Sequence, residues 1–227
     1  MTAASLVLET AVVLDHAHRS TTTREPGARR APSFMLVHGA TECAWAIHAD
    51  VSRAVAGELD ALARDEPAGA DWQARPRHER RYLALLAGER IDFGPDFGFP
   101  EHLPDAQLAT CVIDDERLLA QNFHGWVPGE IAAGRAPVLA IVQDGAPVSV
   151  CFCARLSDVA AEAGVETAAG YRGRGLAPQV VAAWARAMRE RDRTPLYSTS
   201  WMNRGSLAVA RKLALHAHAS MWSSWRR

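Results

Sequence analysis

Tyr171-Arg172-Gly173-Arg174-Gly175-Leu176-Ala177 is the stretch of this chain that decides its fold. An apolar run with strand character, Glu162–Ala168, leads into it, and a helical repeat leaves it. Leu176, Val180, Trp184 and Met188 recur at i, i+4, i+8 and i+12 as one apolar stripe. Arg186, Arg189, Arg191 and Arg193 gather at the far end, where a helix dipole favours cations. Pro178 falls in the first turn, where a missing N–H costs nothing. The order is strand, glycine turn, amphipathic helix.

Glycines at a strand-to-helix turn let the backbone come close to a ligand, and the unpaired N–H groups of the first helical turn are donors for an anion. Arg172 and Arg174 add charge, which suits two adjacent phosphates better than one carboxylate. Two nucleotide loops are excluded. A Walker A loop needs Gly-Lys followed by Ser or Thr, whereas Gly175 precedes Leu176 and Ala177; a dinucleotide fingerprint needs a small third residue where this chain has Pro178. A simple phosphate site, or a glycine-stabilised turn with two surface arginines, is the plainer alternative.

Working outward, strands are expected at Leu108–Ile113, Val138–Gln143, Val148–Ala154 and Leu196–Trp201, with Asp144-Gly145 a hairpin turn between the second and third. Helices are expected at Asp115–Phe123, near Pro128–Ala133 and at Arg204–Leu213. Nearer the N-terminus, Ser33–His38 and Cys43–His48 read as a hairpin. Val51 to Arg64 and Arg77 to Ala87 read as helices, the second stopped by Gly88. From Asp92 to Pro104, prolines, glycines and phenylalanines alternate, so regular structure is expected to lapse, with a soft boundary near Asp105. Thr21–Pro32 reads as a loop whose Arg24, Arg29 and Arg30 are solvated. The chain thus divides into an N-terminal segment and loop (1–32), an α/β extension (33–105) and a C-terminal domain (106–227).

The 227 residues are 48% hydrophobic and 22% charged, which excludes a disordered or fibrous chain. With 25 Lys+Arg against 26 Asp+Glu, nothing draws the whole surface to nucleic acid or to an anionic membrane, and neither is expected as a partner. The apolar run Leu6–Leu14 is interrupted by Glu9 and has no basic segment before it, so no signal peptide is expected. Cys43, Cys111, Cys151 and Cys153 form no CxxC and read as reduced thiols of a cytoplasmic protein, with Cys151 and Cys153 in the core rather than on a metal.

Arg172-x-x-Gly175-x-Ala177, preceded by Tyr171, resembles the pyrophosphate-binding motif of the GNAT superfamily of N-acetyltransferases. A helix, a strand, Asn203 and a second helix ending Arg211-Lys212-Leu213-Ala214-Leu215 follow in the family's order, and the resemblance spans about Gln107 to Leu215. It implies an α+β fold, a mixed and largely antiparallel sheet flanked by helices. It also implies acetyl-CoA as co-substrate, without metal, held where strands Glu162–Ala168 and Leu196–Trp201 splay apart. The pantetheine would pair near Thr167, Ala168 and Ala169, and the pyrophosphate would rest on Arg172, Gly173, Arg174, Gly175, Leu176 and Ala177. Asn203 and Ser206 would meet the cofactor beside the next helix, although Asn203 is also a good plain helix N-cap.

The family often places a Tyr seven residues after the Asn as proton donor to the thiolate, and this chain has Ala210. Transfer then proceeds without a side-chain acid, or Tyr197 serves. A carboxylate is needed to take the proton of the attacking amine. Glu162 and Glu166, four apart on one strand, share a face, and Glu162 is nearer the family's usual position. Trp201 is a candidate wall of the acceptor pocket, and the His216-x-His218 pair is a weak signal. The expected activity is acetyl transfer to a primary amine of a small molecule or peptide by direct attack, by a chain compatible with a homodimer; the alternative is a noncatalytic acyl-CoA-binding sensor.

Overall fold

The computed structural model describes residues 1–88, 90–105 and 107–226. The helices are α1 (Ala3–Ala11), α2 (Arg53–Arg64), α3 (Glu79–Leu86), α4 (Leu176–Arg189) and α5 (Arg204–Lys212). The strands are β1 (Val12–Leu14), β2 (Ser20–Thr23), β3 (Phe34–Gly39), β4 (Cys43–Ile47), β5 (Arg90–Gly98), β6 (Cys111–Val112), β7 (Leu139–Gln143), β8 (Ala146–Leu156), β9 (Ala160–Thr167), β10 (Thr194–Ser198) and β11 (His216–Trp225). β1 and β2 form a small ribbon, and the others form one nine-stranded sheet in the order β4-β3-β11-β5-β10-β9-β8-β7-β6. Every pair in that sheet is antiparallel except β9 with β10.

Local sequence explains much of this. Asp144 and Gly145 both take positive φ, 51° and 78°, the geometry that closes a two-residue hairpin with the right strand twist. Ala87 ends α3 in the left-handed region just before Gly88. The α4 stripe Leu176, Val180, Trp184 and Met188 is buried against Cys151, Cys153, Ala161 and Ala163 of β8 and β9. Farther along that face, α2 and α3 bury Leu59, Tyr82 and Leu86 against Phe34, Leu36 and Trp222. The opposite face is covered by α1, whose Ala4, Val7 and Leu8 meet Met35, Val37, Leu196 and Ala219. Next to α1 a loop seals the sheet with Ile113, Leu119 and Phe123.

Several expectations are corrected. Asp92–Pro104 does not interrupt the sheet: most of it is β5, a central strand between β11 and β10. Its glycine and proline answer a crowded backbone. The Pro95 carbonyl accepts the Thr199 N–H at 3.2 Å, and a Cβ on Gly94 would lie 1.8 Å from the Thr199 carbonyl oxygen. β3, β4 and β5 therefore share a sheet with the strands that follow the expected boundary near Asp105. β11, which the sequence reading did not foresee, joins β3 to β5.

Asp115–Phe123 is not a helix. Only Glu116–Leu118 forms a 3₁₀ turn, because the Glu116 carboxylate accepts the Gly129 and Ile131 N–H groups and folds the segment on itself. Near Pro128–Ala133 there is a single wide turn, Ile131–Arg135, broken by Gly134 at φ 126°. Of Leu108–Ile113, only Cys111 and Val112 pair. In the expected loop, Arg24 donates to the Glu9 carbonyl at 2.7 Å and Arg30 pairs with Asp50 at 2.8 Å, so these two arginines tie the N-terminal segment down.

Candidate functional site

β9 and β10 hydrogen-bond in register only from Thr194/Ala160 to Leu196/Glu162. Beyond that, β9 continues to Thr167 along β8, while β10 continues to Ser198 along β5. Past that point the two parallel strands no longer pair, and the β9 backbone beyond Glu162 is left with a free edge in the interior of the sheet. An extended amide-bearing chain fits such a gap, because it would complete the interrupted ladder.

The gap opens at the turn between β9 and α4. Gly173 and Gly175 have φ of 77° and 76°, which side chains rarely adopt, and Gly175 is the N-cap of α4 with no side-chain cap. Hence the N–H groups that start α4 are available to an anion. A cleft of about 670 Å³ runs here, walled by the end of β9, the turn and the N-terminal half of α5. Thr167, Ala168, Ala169, Arg172, Gly173, Gly175, Leu176, Ala177, Asn203 and Ser206 all line it, and Lys212 adds a cation. Arg174 does not: its guanidinium lies 4.9 Å from the Tyr171 ring and donates to the Gly170 carbonyl. Arg172 is exposed and donates to the Thr167 carbonyl at 3.0 Å, bracing the turn from the strand that precedes it. Asn203 is the N-cap of α5, its Oδ1 accepting the Ser206 N–H at 3.1 Å, and lines the cleft as well.

The two candidate carboxylates differ. Glu166 is exposed on the cleft wall. Glu162 is buried at the point where the strands part. Arg155 Nη1 donates to both Glu162 oxygens at 2.9 Å, and Ser198 Oγ donates to Oε1 at 2.8 Å. In return the Glu162 carboxylate holds the half-buried Arg155 guanidinium above its ordinary value. Tyr197 lies in the core on the other face of the sheet, its hydroxyl directed to the Ser206 carbonyl at 3.4 Å, and burial pushes its phenol up. It does not line the cleft. Ala210 is buried beside it. Trp201 lines a separate hollow of about 490 Å³ outside α5, with Phe97, Leu207 and Leu215.

Three polar groups around Glu162 were not singled out from the sequence. Asp96 on β5 is fully buried, and its Oδ1 is 2.8 Å from His218 Nε2 on β11; burial pushes its carboxyl up to about 6. Ser198 and Arg155 complete the set. The available signal was the alternation of β5: Phe93, Phe97 and Phe99 mark one face, so Asp92, Gly94 and Asp96 must share the other. Cys151 and Cys153 are buried, and among the described residues no group of three His, Cys, Asp or Glu is placed to hold a metal ion. No helix among the described residues is long and apolar enough to cross a membrane.

Residues 136–220 match the family model described as GNAT acetyltransferase. Three solved structures share the fold. A GNAT-family protein from Novosphingobium aromaticivorans is 18% identical over 60% of this chain and 65% of that one, with a TM-score of 0.51. A GCN5-related N-acetyltransferase-like protein from Streptococcus suis is 16% identical over 86% and 84%, with a TM-score of 0.50. A GCN5-related N-acetyltransferase from Sphaerobacter thermophilus is 13% identical over 96% and 82%, with a TM-score of 0.51. No curated protein sequence matches the chain. Residues 136–220 are thus similar in sequence to GNAT acetyltransferases, and the chain shares its fold with solved GNAT structures. The matched family is one of acetyltransferases.

Proposed function

We propose that this protein moves an acetyl group from acetyl-CoA to a primary amine of a small molecule or peptide by direct attack. The observation that carries the reading is the parting of β9 and β10 past Glu162, which ends on the uncapped α4 N-terminus. The gap suits a pantetheine arm, and the turn suits its pyrophosphate. The thioester supplies an activated acyl carbon; the amine nitrogen bonds to it, the C–S bond breaks, and the nitrogen gives up one proton. In this reading Glu162, at the apex of the gap, takes that proton. Tyr197 faces the core, so the thiolate leaves without a side-chain acid.

Ala210 and the engagement of Glu162 by Arg155 and Ser198 favour a second reading, a sensor that binds acyl-CoA without turnover. Free thiol released from acetyl-CoA, followed across a panel of simple primary amines, separates the two. Thiol release that depends on an amine supports transfer; tight acetyl-CoA binding with no thiol release supports the sensor.

A further inference from the structure

A row of polar side chains crosses five strands on the α1 face of the sheet. Arg155 on β8 is in register with Glu162 on β9 and bonded to it. Glu162 accepts from Ser198 on β10, and Ser198 is in register with Asp96 on β5. Directly opposite residues in an antiparallel pair point to the same face with Cβ atoms about 5 Å apart. Asp96 in turn meets His218 on β11, and a bulge between Ala217 and Ala219 sets His218 there as the extra residue. Asp96 Oδ2 is fully buried with no hydrogen-bond partner. An unsatisfied buried carboxylate oxygen is costly, and its cross-strand neighbour is a hydroxyl that can turn from Glu162 towards it.

The far end of the row is wet. His218 and His216 line an opening of about 430 Å³ with Met1, Thr2 and Arg193, away from the cleft that ends on the glycine turn. The charged groups facing the Asp96–His218 pair are Glu162 and Arg155 along the row, His216 beside it on β11, Arg189, Asp192 and Arg193 across the opening, and Glu42, which lines a neighbouring hollow with His218. α1 covers the row with apolar side chains and presents Thr2 near the opening.

We propose that Asp96 and His218 are the exit for the proton released by the acceptor amine. The neutral amine nitrogen, as it bonds to the acyl carbon, gives its one surplus proton to Glu162; the proton then passes through the Ser198 hydroxyl to Asp96, and from the Asp96–His218 pair to solvent at the opening. One proton leaves the nitrogen and one enters water, and each relay group ends in its starting state. The row gives Glu162 a way to shed its proton while acyl donor and acceptor still close the gap. This inference rests on the acyl-transfer reading.

The test measures thiol release from acetyl-CoA with the best primary amine of the panel, together with acetyl-CoA affinity and melting temperature. His218→Ala is expected to lose about tenfold or more in kcat/KM with unchanged acetyl-CoA affinity, and added imidazole is expected to restore part of the loss through the opening. His218→Gln, which keeps a donor for Asp96 but cannot carry the proton, should lose as much, and it serves if the Ala variant does not fold. Full activity in either folded variant, or a loss in His218→Ala that imidazole leaves untouched, overturns the exit alone. A wild type that binds acetyl-CoA yet acetylates no amine overturns the acyl-transfer reading, and the exit with it.

Discussion

Ser198 stands opposite Asp96 across the β10–β5 pair while its hydroxyl donates the other way, to Glu162 Oε1 at 2.8 Å. Two carboxylates on separate strands thus share one hydroxyl neighbour inside the sheet. The more deeply buried one, Asp96, is pushed from 3.8 up to about 6 by burial, although His218 opposes the shift.

That shift has a defined sign in stability. A carboxyl whose folded-state value is raised binds its proton more tightly when folded, so the linked stability is fully present below about pH 4 and is lost as pH rises through about 6. The loss is roughly 3 kcal/mol. Asp96→Asn removes the charge and keeps an amide beside His218. Its urea midpoint should match wild type near pH 4 and exceed it at pH 7.5; a difference that does not grow with pH would show that Asp96 does not carry this cost.

Glu162→Gln should lower kcat/KM by roughly 10²–10⁴-fold, and Glu166→Gln should do much less. The amide still accepts from Arg155, but a half-buried guanidinium loses its counter-charge, so the variant should also melt lower. Rates are therefore to be compared well below both melting points. Equal, small effects in the two variants would remove both carboxylates from the reaction.

Acetyl-CoA should raise the melting temperature, since a ligand that binds only the folded state adds roughly 2.7 kcal/mol at a hundredfold excess over Kd. Arg172 lines the cleft and Arg174 stacks on Tyr171 outside it. Arg172→Ala should therefore weaken acetyl-CoA by about tenfold, or about 1.4 kcal/mol, and Arg174→Ala by clearly less. Calorimetric titration of each variant decides the order, and a melting temperature unmoved by millimolar acetyl-CoA would remove the cofactor from the proposal.

With Tyr197 turned to the Ser206 carbonyl, the leaving thiolate has no acid to wait for, and a thiol of ordinary pKa near 8.5 departs without one. The expected pH profile of kcat/KM is a single rise to a plateau by about pH 9, nearly unchanged in Tyr197→Phe. A bell whose alkaline limb disappears in that variant would restore the tyrosine as the acid.

The turn at residues 171–177 was readable because its chemistry is local: two glycines at positive φ, a proline in the first turn and an apolar stripe lie within one stretch of chain. Asn203 was readable for the same reason. β5 was not, because Gly94 and Pro95 argue against a strand until Thr199 is seen pressed against them. β11 is His, Ala and Ser for much of its length, and both its neighbours precede it by more than a hundred residues. Glu162 was picked out by its place on a strand. Its partners Arg155, Ser198, Asp96 and His218 lie on four other strands, so only the register of the sheet assembles them.

The position of β11 has a bearing on how the chain reaches this form. β11, which follows every other strand of the sheet in sequence, is inserted between β3 and β5, two of the earlier ones. Until it arrives, the β3–β4 hairpin and β5 each offer an open edge, and the loop to be closed is nearly the whole chain. Closing it is the slow, non-local step, with a penalty that rises only as the logarithm of loop length. The same insertion carries His218 to Asp96, so the polar row is completed with the sheet, and a nascent chain short of β11 holds Asp96 without its imidazole.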